Sequence, residues 1–335
     1  MMTQRPGRGA RILGIGAYRP RRIVGNEELA TRTGRSDDWI RRRTGIVERR
    51  YAEPDETVMD MAVEAARKAL ADAGVAPGRV DMVLLSSMSN VRQSPGGAPE
   101  VAHRLGTGSA ALDLDAACAG FCYGLGLADG LVRSGTADHV LLIGSDKMSD
   151  IVDPCDASAA FLFADGAGAV VVGPGSPDRV GSLDRIGPTV WGSDGGRRHL
   201  IAHSATWVEH RDDPELPWPT MRMAGPEVFR WAVGEIPGVA GRALSAAGMA
   251  AADLAAFVPH QANLRITDAL AARLDLPPHV VVARDGRYAG NTSAASVPLA
   301  LDRLRETGEV PRGGWALLVG FGAGLSWASQ VVRLP

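Results

Sequence analysis

The sequence predicts an α/β fold of stacked layers built from two similar halves, and three observations carry that prediction. Short apolar runs alternate with helical stretches along the chain. A Gly- and Pro-rich break at Gly173–Asp178 (GPGSPD) interrupts the alternation, which then begins again. Finally, Ala69–Ser86 (ALADAGVAPGRVDMVLLS) lies over Ala243–His260 (ALSAAGMAAADLAAFVPH) without a gap. Each copy runs helix, Ala-Gly turn, Asp-containing loop, apolar strand. The division is placed at 1–176 and 177–335, so that Cys118 falls in the first half and His260 and Asn291 in the second. The repeat also puts Ser86 and His260 at equivalent strand ends.

In the first half, Arg11–Ala17, Val80–Ser86, Ala111–Asp115, His139–Gly144 and Ala167–Gly173 read as strands, and Met61–Ala73 and Cys118–Ser134 as helices. In the second, Val180–Gly187, Ala255–Pro259, Val280–Ala283, Trp315–Val319 and Ser329–Leu334 read as strands. Gly225–Ala247, Arg265–Leu274 and Ala294–Glu306 read as helices. The segment Thr189–Met221 breaks the pattern with His199, His203, His210, Trp191, Trp207 and Trp218. Its length and polarity place it on the surface, and its aromatic content makes it a cover for something beneath.

The bulk numbers exclude several classes. At 335 residues the chain is long enough for two halves, and with 5% aromatics its core must be aliphatic. A net charge of −2 offers no general attraction to nucleic acid or an anionic membrane. Three cysteines cannot be a disulfide framework and point to a reducing compartment. The first residues lack the apolar core of a signal peptide, and no run of 18 apolar residues exists, which places the protein in the cytoplasm. No metal-ligand pattern is present: Cys122 sits one helical turn beyond Cys118 with no further ligand, and core packing accounts for it.

Cys118 lies where a strand-like run ends and a segment apolar on all sides begins (LDLDAACAGFCYGLGLADGLV). A thiol at a helix N-terminus feels the positive end of the dipole, which favours thiolate. The plainer reading is a small buried hydrophobe. His260 follows an apolar run directly (FVPHQAN), where α/β sites are commonly built. Asn263 in the same cluster also suits the N-cap of the next helix. Asn291 stands in a Gly-Asn-Thr-Ser turn, where Ser293 or a neighbouring hydroxyl suits a cap. The run GFGAGL (Gly320–Leu325) is either a plain hairpin or a close backbone approach that exposes N–H groups to an oxyanion.

Taken together these motifs resemble β-ketoacyl-acyl-carrier-protein synthase III, the initiating ketosynthase. The stretches that carry the resemblance run nearly end to end: Ser36–Arg50 (SDDWIRRRTGIVERR), Asp113–Phe121 (DLDAACAGF), Phe163–Val172 (FADGAGAVVV), Val258–Ile266 (VPHQANLRI) and Gly290–Asp302 (GNTSAASVPLALD). The resemblance implies the thiolase fold, a duplicated five-layer αβαβα unit, and a homodimer without a cofactor. It implies decarboxylative condensation of a primer acyl thioester, carried by coenzyme A, with malonyl-acyl carrier protein. By position, Cys118 resembles the acyl-accepting nucleophile, and His260 and Asn291 the pair that holds the malonyl thioester oxygen. The backbone N–H groups of Cys118 and Ala323 resemble the oxyanion hole. Trp39 and Arg43 resemble contacts to the adenine end of coenzyme A. Asn263 and Ser94 are further substrate-binding positions, with Ser94 reaching the acyl pocket of a dimer partner. Arg265 resembles part of the basic patch that docks the carrier protein. One departure concerns Ala157, which stands where relatives often place an Arg against the adenine, so that an acyl-carrier protein is an alternative donor. Acyltransferases of the same fold move an acyl group without decarboxylation but typically replace the Asn with an acid, and Asn291 favours condensation over them.

Overall fold

The computed structural model describes residues 9–175 and 186–335. From the N-terminus, β1 (Ala10–Tyr18) leads to the short pair β2 (Arg22–Gly25) and β3 (Glu48–Tyr51), which encloses α1 (Asn26–Thr33) and α2 (Asp37–Thr44). Next come α3 (Val58–Ala73), β4 (Met82–Ser86), α4 (Gly97–Leu105), β5 (Ala110–Leu114), α5 (Gly120–Arg133), β6 (Val140–Lys147) and β7 (Asp165–Pro174). The later part begins with β8 (Val190–Ser193), β9 (Ile201–His203), α6 (Trp207–Asp212), β10 (Met221–Met223) and α7 (Gly225–Ala247). It continues with β11 (Ala256–Pro259), α8 (Leu264–Arg273), β12 (Val281–Val282) and α9 (Gly286–Ala289). It ends with α10 (Ser296–Glu306), β13 (Trp315–Gly322) and β14 (Ser326–Arg333).

The two large sheets share one topology. The first has the order β1-β7-β6-β4-β5 and the second, read from its far edge, β8-β14-β13-β11-β12. In each, the strand that follows the long helix (β4 or β11) pairs in parallel with both neighbours, and the first two pairings in the order are antiparallel. The sequence repeat falls on α3–β4 and α7–β11. Both helices end on a left-handed glycine, Gly74 and Gly248, at the same place in the repeat.

Five layers follow from where the apolar residues go. Buried residues of α3 and α4 pack on the outer face of the first sheet, and those of α7 and α8 on the outer face of the second. Between the sheets, Phe121, Leu125 and Val132 of α5 and Val297, Leu301 and Leu304 of α10 meet both inner faces in one cluster. A helix covered on both sides must be apolar all round, which is why α5 reads that way. The architecture is the duplicated αβαβα arrangement.

Several expectations need adjustment. The helix expected from Cys118 opens as a 3-10 turn at Ala117–Ala119 before α5 starts. The break expected at 173–178 begins inside β7, which runs on to Pro174, and the rest of it from 176, the division at 176/177 and most of the strand expected at 180–187 lie outside the described residues. The edge strand of the second sheet is β8, inside the segment expected as a surface excursion, and its Trp191 packs on Tyr123 at 5.5 Å. The remainder of that segment is the β9–β10 hairpin with α6 at its tip, where Trp207 and Trp218 are exposed. Among the described residues no helix is long and apolar enough to cross a membrane.

Candidate active site

Cys118, His260 and Asn291, spread over 173 positions and sharing no element, line one cavity of about 520 Å³. Trp39, Arg43, Asn263, Arg265 and Ala323 line it as well. Ser94 does not; it is exposed on the loop before α4. Four arginines (Arg35, Arg43, Arg230, Arg265) and no acidic residue line the cavity. A chain with net charge −2 thus presents a cationic opening, suited to an anionic ligand.

Cys118 is 8% exposed. The residue before it, Ala117, has φ +46, a strained conformation for a side chain larger than Gly. The end of β13 comes down directly on this turn. A Cβ at Gly322 would stand 2.7 Å from Cys118 Cβ, so GFGAGL joins β13 to β14 as a hairpin and also supplies the close approach. Burial pushes the Cys118 thiol up to about 12. This corrects the dipole argument: desolvation of a buried thiolate outweighs a short first turn, and the Asp146 charge adds to the rise.

His260 is 3% exposed and follows β11, its N–H donating to Val319 O at 2.7 Å. Burial pulls its imidazole down to about 3, so the ring is neutral at physiological pH. Its Nδ1 lies 2.6 Å from Ser296 Oγ. Ser296 Oγ also accepts the Gln261 N–H at 3.3 Å, and a Ser296 proton given to Nδ1 puts the ring proton on Nε2. The Phe321 ring packs edge-on against the imidazole at 5.3 Å.

Asn291 is 4% exposed. Its backbone is clamped by the strand-like segment of the cavity wall, with Asn291 N–H donating to Leu162 O at 2.8 Å and Ala164 N–H donating to Asn291 O at 2.9 Å. Its Oδ1 accepts the Ser293 N–H at 2.9 Å, which identifies the amide oxygen and leaves the NH₂ group as donor. Ser293 does not cap the next helix; α10 starts at Ser296 without a side-chain cap, and Ser293 instead holds φ +51. Asn263 does cap α8, accepting the Arg265 N–H at 2.9 Å, and its Nδ2 donates to Arg43 O at 3.4 Å.

Sequence reasoning missed three contributors. Arg35 places its guanidinium 4.7 Å over the Trp39 ring and donates from Nε to Ala157 O at 3.3 Å. Ile201, Met221 and Met223 on the β9–β10 hairpin form one cavity wall. Asp146, fully buried at the end of β6, accepts from Met88 N–H (2.9 Å), Ser89 O–H (2.8 Å) and Ala294 N–H (3.1 Å), tying the loop after β4 to the turn that follows Asn291. Nothing local marks Asp146, whose partners lie far along the chain, whereas Arg35 stands four residues before Trp39 and the hairpin belongs to the segment expected as a cover.

The family model for 3-oxoacyl-[acyl-carrier-protein] synthase III matches residues 112–195, and its C-terminal counterpart matches residues 244–334. The β-ketoacyl-[acyl-carrier-protein] synthase III of Streptomyces glaucescens is 49% identical over all of both chains. The chain belongs to the β-ketoacyl-acyl-carrier-protein synthase III family. A second synthase III, from Streptomyces coelicolor, is 50% identical, again over the full length of both. Among solved structures, the priming β-ketosynthase of the R1128 polyketide pathway superposes with a TM-score of 0.95 at 49% identity. That superposition covers 100% of this chain and 99% of that one. The synthase III of Pseudomonas aeruginosa gives 0.89 at 40% identity, covering 98% and 99%.

Proposed function

We propose that the protein condenses a primer acyl thioester with malonyl-acyl carrier protein, with loss of carbon dioxide, to start a fatty acid or polyketide chain. The observation that carries this reading is the convergence of Cys118, His260 and Asn291 in one cavity, the imidazole and the amide both being neutral groups that can donate. Cys118 takes the acyl group, its proton leaving with the departing carrier thiol. Malonyl thioester then enters, and carbon dioxide departs with the electron pair passing to the thioester oxygen. The His260 Nε2–H and the Asn291 amide donate to that oxygen. The resulting carbanion attacks the acyl carbonyl, whose oxyanion the backbone N–H groups of Cys118 and Ala323 receive, and Cys118 is expelled. Neutral donors fit this chemistry: a protonated imidazole is costly at this depth, and an acid in place of Asn291 would repel the developing charge.

The cationic opening supports an acyl carrier protein or coenzyme A as the thioester carrier, with Arg43 and Arg265 meeting its phosphate. Arg35 supplies, over Trp39, a cation that Ala157 does not. Incubation with a panel of acyl-coenzyme A thioesters and acyl-carrier proteins, read by intact mass and peptide mapping, should add the acyl mass to Cys118. Label on Cys122 or the exposed Cys155 with Cys118 free would overturn the assignment. The panel also separates the two donors.

A homodimer is part of the proposal. Strand β5 is an unpaired edge whose residues are largely exposed, with Leu112 49% open, and Ser94 lies exposed beside it. A bare edge strand with an exposed Leu is a surface that proteins normally pair or cover. Light scattering at micromolar concentration should return a dimer's mass, and a monomer would contradict it.

A further inference from the structure

Arg49 lies in Ser36–Arg50, yet no step of the reaction uses it. Its side chain is 0% exposed. Its guanidinium donates to three neutral oxygens: Asn26 Oδ1 at 2.6 Å, Phe161 O at 3.0 Å and Val24 O at 3.2 Å. Its Nε has no acceptor among the described residues. Burial pulls the group down to about 10. A buried cation held without a carboxylate is an expensive way to fill space, since an apolar chain of the same volume packs at lower cost.

What the charge holds explains its presence. Phe161 belongs to the cavity wall, and the next residues, Leu162 and Ala164, are the ones that clamp the Asn291 backbone. The stem of Arg49 lies against Gly290. A Cβ there would stand 2.9 Å from Arg49 Cβ, and Gly290 has φ +72, so this contact and this backbone conformation both require Gly. The flanking residues extend the brace: Val47 N–H donates to Arg287 O at 2.8 Å, and Ala52 N–H to Asp165 Oδ2 at 2.9 Å. Strand β3 is thereby fastened to both segments that meet at Asn291. The fixed fork of a guanidinium suits it to hold several carbonyls at once.

We propose that Arg49 is the positioning residue of the condensation step, setting the Asn291 amide by fixing the Phe161 carbonyl and backing Gly290. The proposal rests on the reading of Asn291 as a donor to the malonyl thioester oxygen. Arg49→Lys keeps the charge but loses the fork; Asn26→Ala leaves Arg49 intact and removes its acceptor on the side away from the cavity. For each variant and for Asn291→Ala, acyl loading of Cys118 is measured by intact mass, and condensation by release of labelled carbon dioxide from malonyl-carrier protein.

Arg49→Lys should load Cys118 within about twofold of wild type, because the thiol's own surroundings are untouched. It should condense roughly 10- to 100-fold more slowly, the loss falling on kcat rather than KM, as a misplaced reacting group predicts. Asn26→Ala should show the same split to a smaller degree, and it decides the matter if the Lys variant does not fold. Condensation at the wild-type rate in these variants, or equal loss of both half-reactions, would overturn the proposal and leave Arg49 a structural residue only. Wild-type condensation by Asn291→Ala would instead overturn the reading of Asn291 itself.

Discussion

The two central helices begin alike and do different work. Before α5, Asp115 Oδ1 accepts the Ala117 N–H at 3.2 Å, Ala117 has φ +46, and a 3-10 turn follows at Ala117–Ala119. Before α10, Asn291 Oδ1 accepts the Ser293 N–H at 2.9 Å, Ser293 has φ +51, and a 3-10 turn follows at Ser293–Ala295. Asp115 therefore corresponds to Asn291, Ala117 to Ser293 and Cys118 to Ala294. The strand ends correspond too. Ser86 faces Gly120 so closely that a Cβ there would meet its Oγ at 1.9 Å, and in the equivalent pair His260 bonds Ser296. One backbone device, used twice, carries Cys118 in the first copy and Asn291 in the second. On the proposed mechanism the two copies differ in chemistry through their side chains alone, and both keep the left-handed residue that aims the turn.

The sharpest way to break this comparison is to make the second turn a copy of the first. Asn291→Asp keeps the Oδ1 acceptor for the Ser293 N–H but replaces the amide donor with charge. Removing the donor alone, in Asn291→Ala, should slow condensation about 100- to 1000-fold while Cys118 still loads. Asn291→Asp should be slower still, because the carboxylate opposes the developing oxyanion. Labelled carbon dioxide release and acyl-Cys118 mass, read on the same samples, check this. An Asp variant that condensed faster than the Ala variant would show that the equivalence to Asp115 had been misread.

A smaller effect comes from the other shared pair. Ser296→Ala removes the partner of His260 Nδ1 and frees the ring to change tautomer. Condensation should fall about 10-fold, the consequence of one buried polar group left without its bond. The pH profile sharpens the point. With its imidazole pulled down to about 3 by burial, wild-type His260 stays neutral from pH 5 to 8, so condensation should show no inflection near the usual histidine value. An inflection near 6.5 in the wild-type profile would mean that the buried, neutral ring assigned to His260 is wrong.

Much of this was readable in the chain. Periodicity, the Ala-Gly punctuation at Ala73-Gly74 and Ala247-Gly248, and the repeat from Ala69 and Ala243 predict the layered, duplicated architecture, because helix and strand patterns and left-handed glycine caps are local properties. Cys118 and His260 were legible for a related reason, each standing where an apolar run gives way to a turn, while Asn291 was marked by its Gly-Asn turn and the family motif around it. Ionisation was not legible. Placing Cys118 at a helix start predicts a favoured thiolate, while burial drives its thiol up to about 12, since desolvation depends on every neighbour in space. For the same reason the sequence could not show that Asp146 joins the loop after β4 to the turn after Asn291 or that Arg49 donates to the Phe161 carbonyl behind Asn291. Propensity and spacing, settled within a few residues, determined the elements, and the family motifs marked Cys118, His260 and Asn291 as the candidate site. Only the tertiary structure, which brings together groups more than a hundred residues apart, decided their protonation, their orientation and what holds them in place.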